Sequence, residues 1–158
     1  MKNKRYYIAY GSNLSVEQMK VRCPDARIAG MSFLKDWKLV FKVHATIEPC
    51  KGRVVPVLVW EISERDEANL DYYEGYPSYY FKQDMDIEMT DLDGKKSKSV
   101  SAMVYVMGGH HTVCEPMRSY YEVLQEGYRR FGFNTYLLEL ALQEAREEEN
   151  ELPGQSDS

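Results

Sequence analysis

A glutamate in an awkward place opens the chemistry of this chain. The stretch LDYYEGYPSYYF, Leu70–Phe81, closes a helical pattern that begins at Ser63. Ser63 suits an N-cap, and Glu64, Asp66 and Glu67 suit the positive first turn of a helix. Gly75 and Pro77 read as the stop. Glu74 is thus left at the negative end of the helix dipole, beside a glycine and among five tyrosines. The dipole disfavours its charged form, and flanking tyrosines would desolvate it. Both effects raise its pKa towards neutrality, where a general acid/base works best. The alternative for such a residue is an ordinary exposed acid near a helix end.

A second candidate is YGSNL, Tyr10–Leu14. It follows a strand-like run and precedes a helix start, so its backbone N–H groups can converge as an anion or oxyanion cradle. A plain strand-to-helix turn is the competing reading. No G-K-[ST] follows, which excludes a Walker loop, and G-x-S-x-G is absent. Ser12 as a nucleophile would need a base, for which His44, His110 and His111 are the histidine candidates. HHTVC, His110–Cys114, invites a metal reading. Adjacent histidines project differently, however, and no second ligand pair stands at metal spacing. A polar loop after a strand ending near Met107 is the better reading. The paired tyrosines Tyr6-Tyr7, Tyr72-Tyr73, Tyr79-Tyr80 and Tyr120-Tyr121 could stack bases, but the basic groove that needs is missing. Core and rim positions suit most of them better.

The elements that must position these residues are mostly strands. RYYIAY (Arg5–Tyr10), ARIAGMSFL and WKLVFKV (joined near Lys35-Asp36), RVVPVLVWEI, YYFKQDMDIEM and SVSAMVYVM read as strands. Pro56 suggests an edge or early position in its strand, and Asp93-Gly94 is a hairpin turn signal. A Ser15/Gln18 capping box opens a short helix up to about Cys23, ended by Pro24. Two helices close the domain. Met117, Tyr120, Tyr121, Leu124, Tyr128 and Phe131 share one face of the first. Gly132 stops it, and Asn134 can cap the second. The pattern predicts an α+β domain built on a strongly curved antiparallel or mixed sheet. That domain spans 1–146, with 147–158 an acidic, disordered tail.

The bounds agree. The chain has 158 residues, 44% of them apolar, and a net charge of -5. This suits one globular domain and argues against nucleic acid or an anionic membrane as main partner. No run approaches a membrane span or a signal-peptide core. Cys23, Cys50 and Cys114 are odd in number and lack C-x-x-C spacing, which suits free thiols in a reducing cytoplasm.

Taken together, YYIAYGSNLS and, some sixty residues later, LDYYEGYPSYY resemble the γ-glutamylcyclotransferase-like family. SAMVYVM and SYYEVLQEGYRRFGF resemble its later strand and C-terminal helix. The resemblance covers about Arg5 to Ala145. It implies a small mixed or antiparallel β-barrel with helices packed around it. It also implies a cyclisation: the α-amine of a γ-glutamyl amide attacks its own γ-carbonyl, releasing 5-oxoproline and an amine or amino acid. By the same resemblance Glu74 is the catalytic acid/base, and Tyr10, Gly11, Ser12, Asn13 and Leu14 form the substrate loop. Tyr7, Ile8 and Ala9 lead into that loop, and Tyr120 is a pocket tyrosine. A small-molecule γ-glutamyl substrate is implied, with no cofactor and no metal. A non-catalytic protein binding such a molecule on the same fold is the alternative.

Overall fold

The computed structural model describes residues 4–151. Five strands form a closed barrel in the order β1-β3-β2-β4-β5. They are β1 (Arg5–Ala9), β2 (Arg27–Lys42), β3 (His44–Ile62), β4 (Tyr80–Thr90) and β5 (Ser97–Met107). All pairings are antiparallel except β1 with β5, where Tyr6 and Tyr7 face Ala102 and Met103 in parallel. The four α-helices are α1 (Val16–Arg22), α2 (Glu64–Glu74), α3 (Arg118–Arg130) and α4 (Thr135–Asn150). The mixed barrel with helices around it is the fold expected. Ile8, Phe41, Leu58, Leu70, Met103, Leu124 and Leu138 are among its fully buried residues.

Several local expectations change. The two strands expected to join near Lys35-Asp36 are one strand of 16 residues, β2. The break is a register shift between Lys35 and Trp37, with Asp36 at φ 68° accepting the Gly52 N–H at 2.9 Å. Residues 44–52, left between two expected strands, form the first half of the 19-residue β3. Their His, Pro and Gly residues mimic a turn, but β2 pairs with them from Lys42↔His44 to Trp37↔Pro49. Pro56 lies beyond the last β1 partner, Leu58, so one flank of β3 needs no N–H there.

The helix ends follow their sequence signals. Ser63 and Asp66 cap α2 reciprocally, and Gly75 closes it in the left-handed conformation at φ 67°. Ser15 caps α1 through the Gln18 N–H at 3.2 Å. The Gln18 side chain does not complete that box; its Oε1 is buried without a partner. Met117, expected on the buried face of α3, is the exposed N-cap residue. Asn134 caps α4, and α4 continues to Asn150, past the boundary expected at 146. The rest of the expected tail, 152–158, lies outside the described residues.

Candidate active site

The site is made where β1 runs out of the barrel into a tight turn. Ser12–Leu14 form a single 3-10 turn between β1 and α1, closed by Leu14 N–H to Gly11 C=O at 3.0 Å. Its opening amides, at Ser12 and Asn13, have no acceptor within the turn. Leu14 anchors it from below, packed on α3 at Gly127: a Cβ there would stand 2.6 Å from the Leu14 Cβ. Asn13 is buried and fixed from three sides. It donates to the Tyr7 hydroxyl at 2.9 Å, its carbonyl accepts from Trp60 Nε1 at 3.1 Å, and its Oδ1 accepts from Arg22.

Glu74, the last residue of α2, shares one small pocket with this turn. The pocket is small and partly open to solvent. Tyr7, Ile8 and Tyr10 line it from β1, with Gly11, Ser12 and Asn13 from the turn. Ala45, Tyr80, Tyr105 and Tyr120 complete the wall. Glu74 makes no hydrogen bond or ion pair among the described residues. Burial pushes its carboxyl up to about 7, against the opposing pull of Arg22.

The tyrosines divide by what their hydroxyl protons do. Tyr10 donates to the Tyr105 carbonyl at 2.7 Å, Tyr80 to the Ala45 carbonyl at 2.7 Å, and Tyr105 to Asp71 at 2.6 Å. Those three protons are committed. Tyr7 instead accepts from Asn13, and Tyr120 accepts from the Ala45 N–H at 3.0 Å. Each keeps its own proton for something in the pocket. Burial, first, and the Glu74 charge push the Tyr7 hydroxyl well above its usual range. Burial also raises Tyr120, so both remain donors.

A second, open cleft adjoins the first, sharing Ser12 and Tyr120 with it. Arg22, His44 and Tyr73 line this outer cleft.

The family model described as Gamma-glutamyl cyclotransferase, AIG2-like, matches residues 7–130. The chain belongs to that family. Over 138 residues it is 30% identical to the γ-glutamylcyclotransferase of Bos taurus, covering 80% of this chain and 71% of that one. The Mus musculus γ-glutamylcyclotransferase is 28% identical over 138 residues, with the same coverage. A solved γ-glutamyl cyclotransferase structure superposes with TM-score 0.71 at 24% identity, over 88% of this chain and 86% of that one, which agrees in fold. An uncharacterized Homo sapiens protein gives TM-score 0.71 at 25% identity, over 87% and 86%.

Within this cyclotransferase fold, most residues singled out in the sequence converge. Glu74, Tyr7, Ile8, Tyr10, Gly11, Ser12, Asn13 and Tyr120 all line the inner pocket. Ala9 and Leu14 do not; both are core residues. The flanking tyrosines supply only part of the surroundings of Glu74. Of its five flanking tyrosines only Tyr80 lines the pocket, while Tyr72 is 91% exposed. Tyrosines from β1, β5 and α3 join Tyr80 in the wall around the carboxyl. His110 and His111 are exposed. Among the described residues no group of three or more His, Cys, Asp or Glu side chains could hold a metal ion. Arg22, Ala45 and Tyr105 had not been singled out. Arg22 is one helix away in sequence, and only the docking of α1 beside α2 brings it to the site. No helix among the described residues is long and apolar enough to cross a membrane.

Proposed function

We propose that this chain is a γ-glutamyl cyclotransferase in which Glu74 carries protons from the substrate's α-amine to its leaving nitrogen. The observation that carries this reading is the placement of one carboxyl, its pKa raised to about 7, in the same pocket as a turn whose opening amides have no acceptor within the turn. Near neutrality such a group is populated in both forms, as an acid/base that must first take and then give requires.

The glutamyl half fits the inner pocket. The free amides of the 3-10 turn and the hydroxyl protons of Tyr7 and Tyr120 face its anionic groups and the oxygen that becomes negative during attack. Ionised Glu74 removes a proton from the α-ammonium. The freed amine attacks the γ-carbonyl carbon, forming the ring C–N bond. Protonated Glu74 then gives its proton to the leaving nitrogen, and that C–N bond breaks. Two protons leave the α-nitrogen and two arrive on the departing amine. A single carboxyl passing them in turn balances the reaction. Nucleophile and electrophile belong to one molecule, so holding that molecule folded supplies much of the rate enhancement.

The test is incubation with a panel of γ-glutamyl dipeptides and γ-glutamyl amines, with 5-oxoproline measured. Release from at least one class is expected. Binding without release from any of them would favour the non-catalytic reading and end this one.

A further inference from the structure

We propose that Arg22 sets specificity for the leaving half of the substrate by holding a carboxylate carried on the carbon next to the scissile nitrogen. This rests on the cyclotransferase reading of Glu74. It adds a recognition element on the other side of the bond that is cut.

Arg22 ends α1 and is half-buried. Its Nη1 donates to Ser12 Oγ at 3.3 Å and to Asn13 Oδ1, and its Nη2 donates to the Tyr73 hydroxyl. A guanidinium has five N–H donors. The Nε–H and one Nη2 N–H therefore have no acceptor among the described residues. Its partners are all neutral. Among the described residues no carboxylate stands within ion-pair distance of Arg22, although the Glu74 carboxyl is near enough to feel its charge. A half-buried guanidinium whose direct partners are all neutral gains from an arriving carboxylate. Two free donors on a planar fork suit a carboxylate better than a point anion.

Location decides which carboxylate. Arg22 lines the outer cleft and not the inner pocket. The two spaces meet at Ser12 and Tyr120. With the glutamyl half beside Glu74, the group that reaches Arg22 belongs to the leaving half. Its reach is short, because Arg22 bonds directly to Ser12 and Asn13 of the inner pocket and to Tyr73, the neighbour of Glu74. An α-amino acid joined through its α-nitrogen carries its carboxylate one carbon from the scissile nitrogen. An isopeptide through a lysine side chain carries it several carbons further off, and a simple amine carries none. Val43 and Met117 give the outer cleft apolar surface for the departing residue's side chain.

The test compares γ-glutamyl-L-alanine with γ-glutamyl-L-alaninamide, which differ in that carboxylate. The parent should favour the acid in kcat/KM by about 10- to 100-fold, the range of charge-assisted hydrogen bonds. Arg22→Gln should bring the two substrates to within about twofold, mainly by losing the acid. A parent that handles both equally overturns the proposal without touching the cyclotransferase reading, and this holds even if the variant does not fold. A variant that loses both substrates in equal proportion overturns it too, leaving Arg22 as a brace for the turn. A parent that releases 5-oxoproline from no γ-glutamyl compound ends the cyclotransferase reading and this assignment with it.

Discussion

The Tyr120 hydroxyl accepts a hydrogen bond from the Ala45 backbone N–H at 3.0 Å, and so keeps its own proton for the pocket. Removing that hydroxyl has two separable effects. Tyr120→Phe should lower kcat/KM for a γ-glutamyl substrate by roughly 10- to 100-fold, as the loss of one transition-state donor does. It should also cost about 1–3 kcal/mol of stability, because the buried Ala45 N–H is left without an acceptor. Tyr80→Phe is the comparison. Its proton is already committed to the Ala45 carbonyl, so stability should fall while turnover changes far less. Equal kinetic losses in the two variants would remove the distinction between free and committed protons.

Gly11 bears on the same tyrosine. A Cβ at Gly11 would stand 3.2 Å from the Tyr120 hydroxyl and 3.6 Å from the Ala45 Cβ. Gly11→Val must therefore push into the pocket. The expected outcome is a raised KM or lost binding with a cooperative melt retained. A variant that binds substrate like the parent would show that the turn does not meet substrate at Gly11.

Gly127 is the corresponding test of the turn's foundation. In the interior of a helix, alanine is ordinarily better than glycine by about 1 kcal/mol. Here its Cβ would fall 2.6 Å from the Leu14 Cβ, an atom that cannot swing aside. Overpacking of this kind costs roughly 1–3 kcal/mol. Gly127→Ala should therefore lower the melting temperature and, by displacing Leu14, weaken substrate binding. Stabilisation by the alanine would contradict the packing described.

Glu74 should leave a mark on stability against pH. Its folded-state pKa is about 7 against an ordinary 4.5. The folded state thus holds more protons than the unfolded state between those values. Stability from this group is greatest below about 4.5 and is lost as pH rises through about 7. Complete ionisation costs roughly 3 kcal/mol, at 1.36 kcal/mol per pKa unit. Glu74→Gln escapes that cost. Urea melts should show the variant gaining on the parent between about pH 4 and pH 8, by up to roughly that amount. A difference that does not change with pH would mean the carboxyl is not desolvated in solution.

Much of this site is legible before folding because its two halves are local. The Ser63 cap, the acidic first turn and Gly75 bound α2 unambiguously, and so place Glu74 at its last position. Tyr10–Asn13 announce a turn between a strand and a capped helix. Arg22 is different. Nothing in its neighbours distinguishes it from other surface arginines, and its meaning comes from the contact of α1 with the end of α2. The pocket wall likewise needs the barrel. Tyr105 and Tyr80 share the pocket with Glu74 because β5 and β4 carry them to it, whereas Tyr72 is exposed on the helix and Tyr73 lines the outer cleft. Sequence proximity therefore found only part of the wall around Glu74, Tyr80, and missed the tyrosines that other strands bring. The long β2–β3 hairpin was hidden by Asp36 and by the His, Pro and Gly residues of 44–52. These break local patterns without breaking the pairing.

The central claim is that Glu74 moves the protons, and the most direct measurement is 5-oxoproline release by Glu74→Gln under single-turnover conditions. Glutamine keeps the size and most of the hydrogen bonding of glutamate but cannot titrate. Turnover of a good γ-glutamyl substrate should fall by about 10²–10⁴, or further if both transfers pass through this group. Substrate should still bind, because the turn at Gly11–Asn13 is untouched, and the protein should still melt cooperatively. A variant that cyclises the substrate at close to the parental rate would contradict the account.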